Sequence, residues 1–90
     1  MWWTSRTFTL CVRGVINVTG TQRIKDARDA WFRVDGIGVD VVHALLERPR
    51  TSAEVAERVR SLYEVDDEVA DRDVRSFLVS AWAAGLVWPV

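Results

Sequence analysis

Ninety residues suffice for one domain with a single modest core, and 49% hydrophobic with 28% charged residues is a globular composition. A formal net charge of −1 argues against binding dominated by nucleic-acid phosphates or a lipid surface, which call for a basic excess. The single cysteine, Cys11, has no internal partner for a disulfide, and no run approaches the roughly 20 apolar residues of a membrane span.

The first stretch, MWWTSRTFTLCVRGVINV, is broken by Arg6, Arg13 and Asn17. It lacks the continuous apolar run of a secretory signal, so a cytoplasmic location is expected. Phe8, Leu10 and Val12 alternate with Thr7, Thr9, Cys11 and Arg13, which reads as a strand. Trp2 and Trp3 are either an ordered edge or a loose arm, so residues 1–13 stand as an extra strand or arm on a single domain spanning 1–90. Val15 to Thr19 reads as a second strand, or as the first one continued past a bulge at Gly14. Gly20 suggests a tight turn, and Gln22 to Lys25 returns antiparallel. Asp26 to Asp29 is a polar turn.

Ala30 to Val34 (AWFRV) is the clearest strand, with two aromatics and a β-branched residue between turn signals. Period-2 alternation puts Ala30, Phe32 and Val34 on one face and Trp31 and Arg33 on the other. Asp35-Gly36-Ile37-Gly38 leads into a helix that Asp35 or Asp40 would cap. Ile37, Val41, Val42, Leu45 and Leu46 fall on one of its faces, and Pro49 ends it. Thr51-Ser52-Ala53-Glu54 then has capping-box spacing, followed by the apolar stripe Val55, Val59, Leu62 and Tyr63. After an acidic turn a third helix carries Val74, Phe77, Leu78, Ala81 and Trp82 on one stripe. Gly85 stops it with Leu86-Val87 as the accompanying hydrophobic contact, and Trp88-Pro89-Val90 reads as a short tail. This order predicts an α+β domain: a small antiparallel sheet of about three strands followed by three helices, like a winged helix-turn-helix.

Nothing in the chain assembles a catalytic or metal site. His43 has no second His or Cys at zinc spacing, so a structural or surface role is expected. Cys11 reads as a small apolar residue in a strand. Asp66, Asp67, Glu68, Asp71 and Asp73 lack the pattern of a calcium loop and read as charges favouring a helix N-terminus. Gly36 and Gly38 are too few for a phosphate loop. The expectation is a non-enzyme without cofactor or metal. DNA binding through the third helix is the alternative, and the acidic start of that helix weighs against it.

The remaining possibility is a peptide. A small sheet with an exposed edge accepts an extra strand through backbone hydrogen bonds, with side-chain pockets for specificity. Ala30–Val34 is the last strand of the sheet in sequence and a candidate edge. Arg72, Asp73, Ser76, Phe77 and Ser80 lie beside the apolar stripe of the third helix. Together they suggest a groove walled by Trp31 and Phe77 and rimmed by Arg33, Arg72 and Asp73. In the competing reading Trp31 packs in the core and the N-terminal residues cover the edge. An exposed edge also permits self-pairing into a homodimer.

The segments ERPRTSAEVAE, YEVDD, DVRSFL and AAGLV, in that order, resemble the C-terminal half of PqqD-like proteins, and RIKDARDAWFRVD resembles their strand, polar turn and aromatic strand. Two departures are Asp35, where the family often has asparagine, and the stretch through Arg13, which has no clear counterpart. These proteins are precursor-recognition domains in the biosynthesis of ribosomally made, post-translationally modified peptides. The resemblance implies that a precursor's leader segment adds as a strand beside Ala30, Trp31, Phe32, Arg33 and Val34. It would lie against the outward face from Arg72 to Ser80. The domain would then deliver the precursor to a separate processing enzyme. It is most similar to the leader-binding proteins of lasso-peptide pathways, whose partner is a leader peptidase, and also resembles the small carrier of pyrroloquinoline quinone biosynthesis.

Overall fold

The structure, a computed structural model, describes residues 6–18, 21–26 and 28–89. Trp2, Trp3 and the turn at Gly20 lie outside them. Among the described residues six strands and three helices follow in chain order: β1 (Thr7–Leu10), β2 (Val12–Val18), β3 (Thr21–Asp26), β4 (Trp31–Val34), α1 (Ile37–Glu47), β5 (Arg50–Thr51), α2 (Ser52–Leu62), α3 (Asp67–Ala83) and β6 (Val87–Pro89). The architecture is α+β, as expected. The hairpin sheet has the order β2-β3-β4 and is antiparallel throughout, with a register shift between Val12 and Gly14 where the bulge was expected.

A second sheet, β5-β1-β6, was not anticipated. Phe8 pairs with Pro89 on one side and with Arg50 on the other, and Leu10 pairs with Val87. Trp88-Pro89 is therefore a strand rather than a tail. Cys11, half-buried, joins β1 to β2, and its N–H donates to the Leu86 carbonyl at 2.8 Å. The core lies between the sheets and the helices. Phe8, Ile24 and Val34 come from the strands, Val41, Val42 and Leu45 from α1, Val55 and Val59 from α2, and Val74, Leu78 and Ala81 from α3.

Local chemistry explains where the helices begin and end. Both capping-box bonds are present at α2: the Glu54 N–H donates to the Thr51 hydroxyl (3.1 Å) and the Thr51 N–H to the Glu54 carboxylate (2.9 Å). The Thr51 N–H and the Arg48 guanidinium hold the Glu54 carboxyl below its usual range. Gly85 sits at φ 81° after α3, with its N–H on the Trp82 carbonyl and the Leu86 N–H on the Ala81 carbonyl. That is the paired bonding of a Schellman stop, and Leu86 supplies the buried apolar contact. At α1 neither Asp35 nor Asp40 is the cap. Gly36, at φ 59°, occupies that place without a side-chain bond, because the chain turns through the left-handed region there. Asp66, at the N-cap of α3, likewise makes no side-chain cap bond; Asp67 and Asp71 meet Arg60 of α2 instead.

The apolar stripes are narrower than the spacing implies. Leu46, Leu62, Tyr63 and Trp82, placed on apolar faces by periodicity, are all exposed. Trp82 still meets Phe8 edge-on, with ring centroids 6.4 Å apart. Tyr63 turns its hydroxyl to Asp40 at 2.5 Å.

Candidate functional site

The turn between β3 and β4 fixes the edge of the hairpin sheet. The Asp29 N–H donates to the Asp26 carbonyl (3.1 Å), the Asp26 N–H donates to the Ala30 carbonyl (2.9 Å), and Asp29 takes φ 65°. This is a three-residue hairpin loop ending in a left-handed residue. The buried Asp26 carboxylate braces it by accepting from the N–H groups of Ala30 (2.9 Å) and Arg28 (2.8 Å). These bonds, the Ala30 bond foremost, hold the Asp26 carboxyl below its usual range.

The register that follows pairs Lys25 with Trp31, Ile24 with Phe32, Arg23 with Arg33 and Gln22 with Val34. Inward and outward backbone groups alternate along an antiparallel strand. Ala30 bonds toward β3, so Phe32 and Val34 do the same. Trp31 and Arg33 then turn their N–H and C=O groups away from β3. β4 is the last strand of its sheet, so these groups face an edge with no neighbouring strand among the described residues. Ala30, expected within the strand, stands one residue before it and belongs to the turn.

The third helix runs beside this edge. At one end, the Arg28 guanidinium of the turn donates to the Ala84 carbonyl at the C-terminus of α3 (3.3 Å). At the other end, Gly38 lies between Val34 of β4 and Phe77 of α3. A Cβ there would stand 2.7 Å from Val34 Cγ1 and 2.6 Å from Phe77 Cε2. From Phe77 to Ala84 the helix rises about 10.5 Å, and Trp31 to Val34 spans about 10 Å. This C-terminal stretch of α3 therefore matches β4 in length and runs in the opposite direction.

Asp73, Phe77, Ser80 and Ala84 share a strip about 60° wide on α3 at 100° per residue. Phe77, half-buried, marks the side of the helix that faces β4. The opposite flank is occupied otherwise, with Asp71 bound to Arg60 and Trp82 against Phe8. The expected residues thus divide. Asp73, Phe77 and Ser80 line the strip toward β4, whereas Arg72 and Ser76 lie farther round, exposed, with Arg72 paired to Asp73 at 3.5 Å.

Of the β4 residues, Phe32 and Val34 face the core while Trp31 and Arg33 face outward. Trp31 is 44% exposed, which excludes the reading that buries it. Its ring is flanked by the Arg23 guanidinium at 5.3 Å and Lys25 Nζ at 5.4 Å, an arrangement that steadies an exposed aromatic. Sequence spacing alone did not single out Arg23, Lys25 or Gly38; the cross-strand register and the close approach at Gly38 reveal them.

The other candidates have structural partners. His43, half-buried on α1, accepts from the amide of the buried Gln22, whose Oε1 has no partner among the described residues. Arg58 meets Glu47, Arg60 meets Asp67 and Asp71, and Arg48 meets Glu54. Arg50 caps α1 by donating to the Ala44 carbonyl at 2.8 Å. No cluster of His, Cys, Asp and Glu fit to hold a metal occurs among the described residues, and no helix among them is long and apolar enough to cross a membrane.

The fold is shared with a known structure. A solved protein described as TbiB1 in complex with the TbiA(beta) leader peptide superposes with a TM-score of 0.76, over 88% of this chain and 93% of that one, at 20% identity. No curated protein matches the chain. The family model of PqqD, coenzyme PQQ synthesis protein D, matches residues 23–87, a span that runs from β3 to β6 and contains β4 and α3. By that match the chain belongs to the PqqD family.

Proposed function

We propose that this protein is a non-catalytic peptide-binding module that captures the leader segment of a ribosomally made precursor by strand addition on β4 beside α3. It then delivers the precursor to a separate processing enzyme, a leader peptidase of the lasso-peptide type. The observation that carries this reading is the edge of β4, which has no neighbouring strand among the described residues. Its Trp31 and Arg33 backbone groups are turned outward, and the Phe77 strip of α3 runs alongside at matched length. Backbone pairing would supply affinity there and the flanking side chains specificity. Membership of the PqqD family supports the reading, as does a fold shared with TbiB1, a protein solved with a leader peptide bound. The place of work is the cytoplasm, where precursors are translated.

DNA binding is less well supported. The arginines of and around α2 are paired with carboxylates, and the first turn of α3 is acidic. The test is a fluorescence titration with the leader peptide encoded beside the gene, with duplex DNA as control, at low and high salt. Saturable, salt-tolerant peptide binding is expected. Trp31→Ala and Phe77→Ala should weaken it more than His43→Ala. Equal binding by all three folded variants would remove the groove from the account, and salt-sensitive DNA binding without peptide binding would overturn it.

A further inference from the structure

The outward face of the hairpin sheet holds an arrangement that does little for the fold. Arg23 and Arg33 lie directly opposite each other on β3 and β4. Like charges so placed destabilise a sheet. Neither forms an ion pair among the described residues, while the third cation of that face, Lys25, has Asp29 at 3.7 Å. Arg23 leans on the Trp31 ring, which leaves Arg33, on the edge strand, exposed with no counter-ion among the described residues. The chain as a whole carries −1, so this local excess of positive charge runs against its overall balance.

A strand added to β4 would bring relief. Residues directly opposite across a ladder share a face, with Cβ atoms about 5 Å apart. A carboxylate opposite Arg33 would meet a guanidinium whose fork matches it. Two positions along, the residue opposite Trp31 would cover an indole already flanked by Arg23 and Lys25. The residue between them, opposite Phe32, would point inward, toward Phe77.

Resting on the strand-addition reading above, we infer that the leader segment this protein takes up carries Asp or Glu opposite Arg33, an apolar residue opposite Phe32 and a large apolar or aromatic residue opposite Trp31. The basic, aromatic face selects the acidic, alternating peptide.

The experiment is selection of a phage-displayed library of random 12-residue peptides on the wild-type protein and on Arg33→Glu and Arg33→Gln, each first shown by circular dichroism to be folded at the selection temperature. Wild type should enrich an acidic residue at one fixed position, two residues from an aromatic or large aliphatic one. Arg33→Glu should enrich Lys or Arg at that position. A synthetic wild-type consensus peptide should lose about three- to tenfold in affinity when its acid becomes the amide, and Arg33→Gln should abolish that difference. Enriched peptides with no fixed acid, or an acid whose removal costs Arg33→Gln as much as wild type, would overturn the inference and leave strand addition standing. No enrichment on any of the three proteins would overturn both.

Discussion

Replacing Gly38 by Ala adds one methyl group at the point where α1, α3 and β4 meet. The new Cβ would lie 2.6 Å from Phe77 Cε2 and 2.7 Å from Val34 Cγ1. Carbon atoms rest comfortably at about 3.5–4.0 Å, so each contact must open by about 1 Å. Val34 is buried in a strand and Phe77 is half-buried, so neither retreats freely. Overpacking of this kind costs about 1–3 kcal/mol. Exchanging glycine for alanine in a helix returns up to about 1 kcal/mol. Repulsion wins, and the net loss should be about 1–2 kcal/mol. For a domain of this size that lowers the thermal midpoint by about 5–15 °C. Urea and thermal unfolding followed by circular dichroism would measure it. The control is Gly14→Ala, where a Cβ meets nothing within 4 Å. If the contact with Phe77 is the cause, Gly38→Ala combined with Phe77→Leu should lose less than the sum of the single variants. A Gly38→Ala protein as stable as wild type, or strict additivity in the double variant, would refute the reasoning.

Phe8→Ala should destabilise by about 3–5 kcal/mol, because Phe8, on the central strand between β5 and β6, is fully buried in the core; a melt within a few degrees of wild type would show that β1 is dispensable to the core. Asp26 has a depressed carboxyl pKa in the folded chain, from an ordinary value near 3.8. Its stabilisation is therefore fully present above about pH 4 and fades as pH falls through the folded value. The stability gap between wild type and Asp26→Asn should accordingly narrow from pH 7 toward pH 2.5, and a gap unchanged across that range would contradict the bracing described. Tyr63 is the single tyrosine, so its ionisation can be followed by ultraviolet absorbance. The hydroxyl bond to Asp40 raises its pKa above the ordinary 10.0. Asp40→Ala should lower the observed midpoint, and an unmoved titration would exclude the bond in solution.

What could be read from the sequence was what neighbouring residues decide among themselves. The capping box at Thr51 and Glu54, the glycine stop at Gly85 and the hairpin leading into the aromatic strand each depend on contacts within a few positions. Exposure of Trp31 was left open because period 2 gives two faces and does not say which is covered. Leu46, Leu62 and Trp82 were assigned to apolar faces because helical spacing gives the direction of a stripe but not its width. The cap of α1 was missed because the positive φ of Gly36 displaces Asp35 and Asp40 from the capping position. The sheet of β5, β1 and β6 was missed for a different reason. Its outer strands are two and three residues long, and their pairing is set by partners far away in the chain. Trp31, Arg33 and Phe77 follow from spacing as candidates for a groove, and the structure adds that Trp31 and Arg33 face outward while Phe77 approaches Val34 across Gly38. The basic outward face of the hairpin sheet needed the register of Arg23 with Arg33.

That distant pairing also bears on the order in which the molecule can assemble. The β2–β3–β4 hairpins and the α2–α3 pair close over short stretches and can form early. Phe8, by contrast, finds Pro89 only across nearly the whole length of the chain. Contacts of long sequence separation form slowly, because loop closure must be met before they stabilise anything. During synthesis β1 emerges long before β6, and Phe8 waits as an uncovered aromatic until Val87 to Pro89 arrive. The finished sheet is thus a late latch. Open, it leaves a partly folded chain whose hairpin sheet has already formed while its core still gapes at one side.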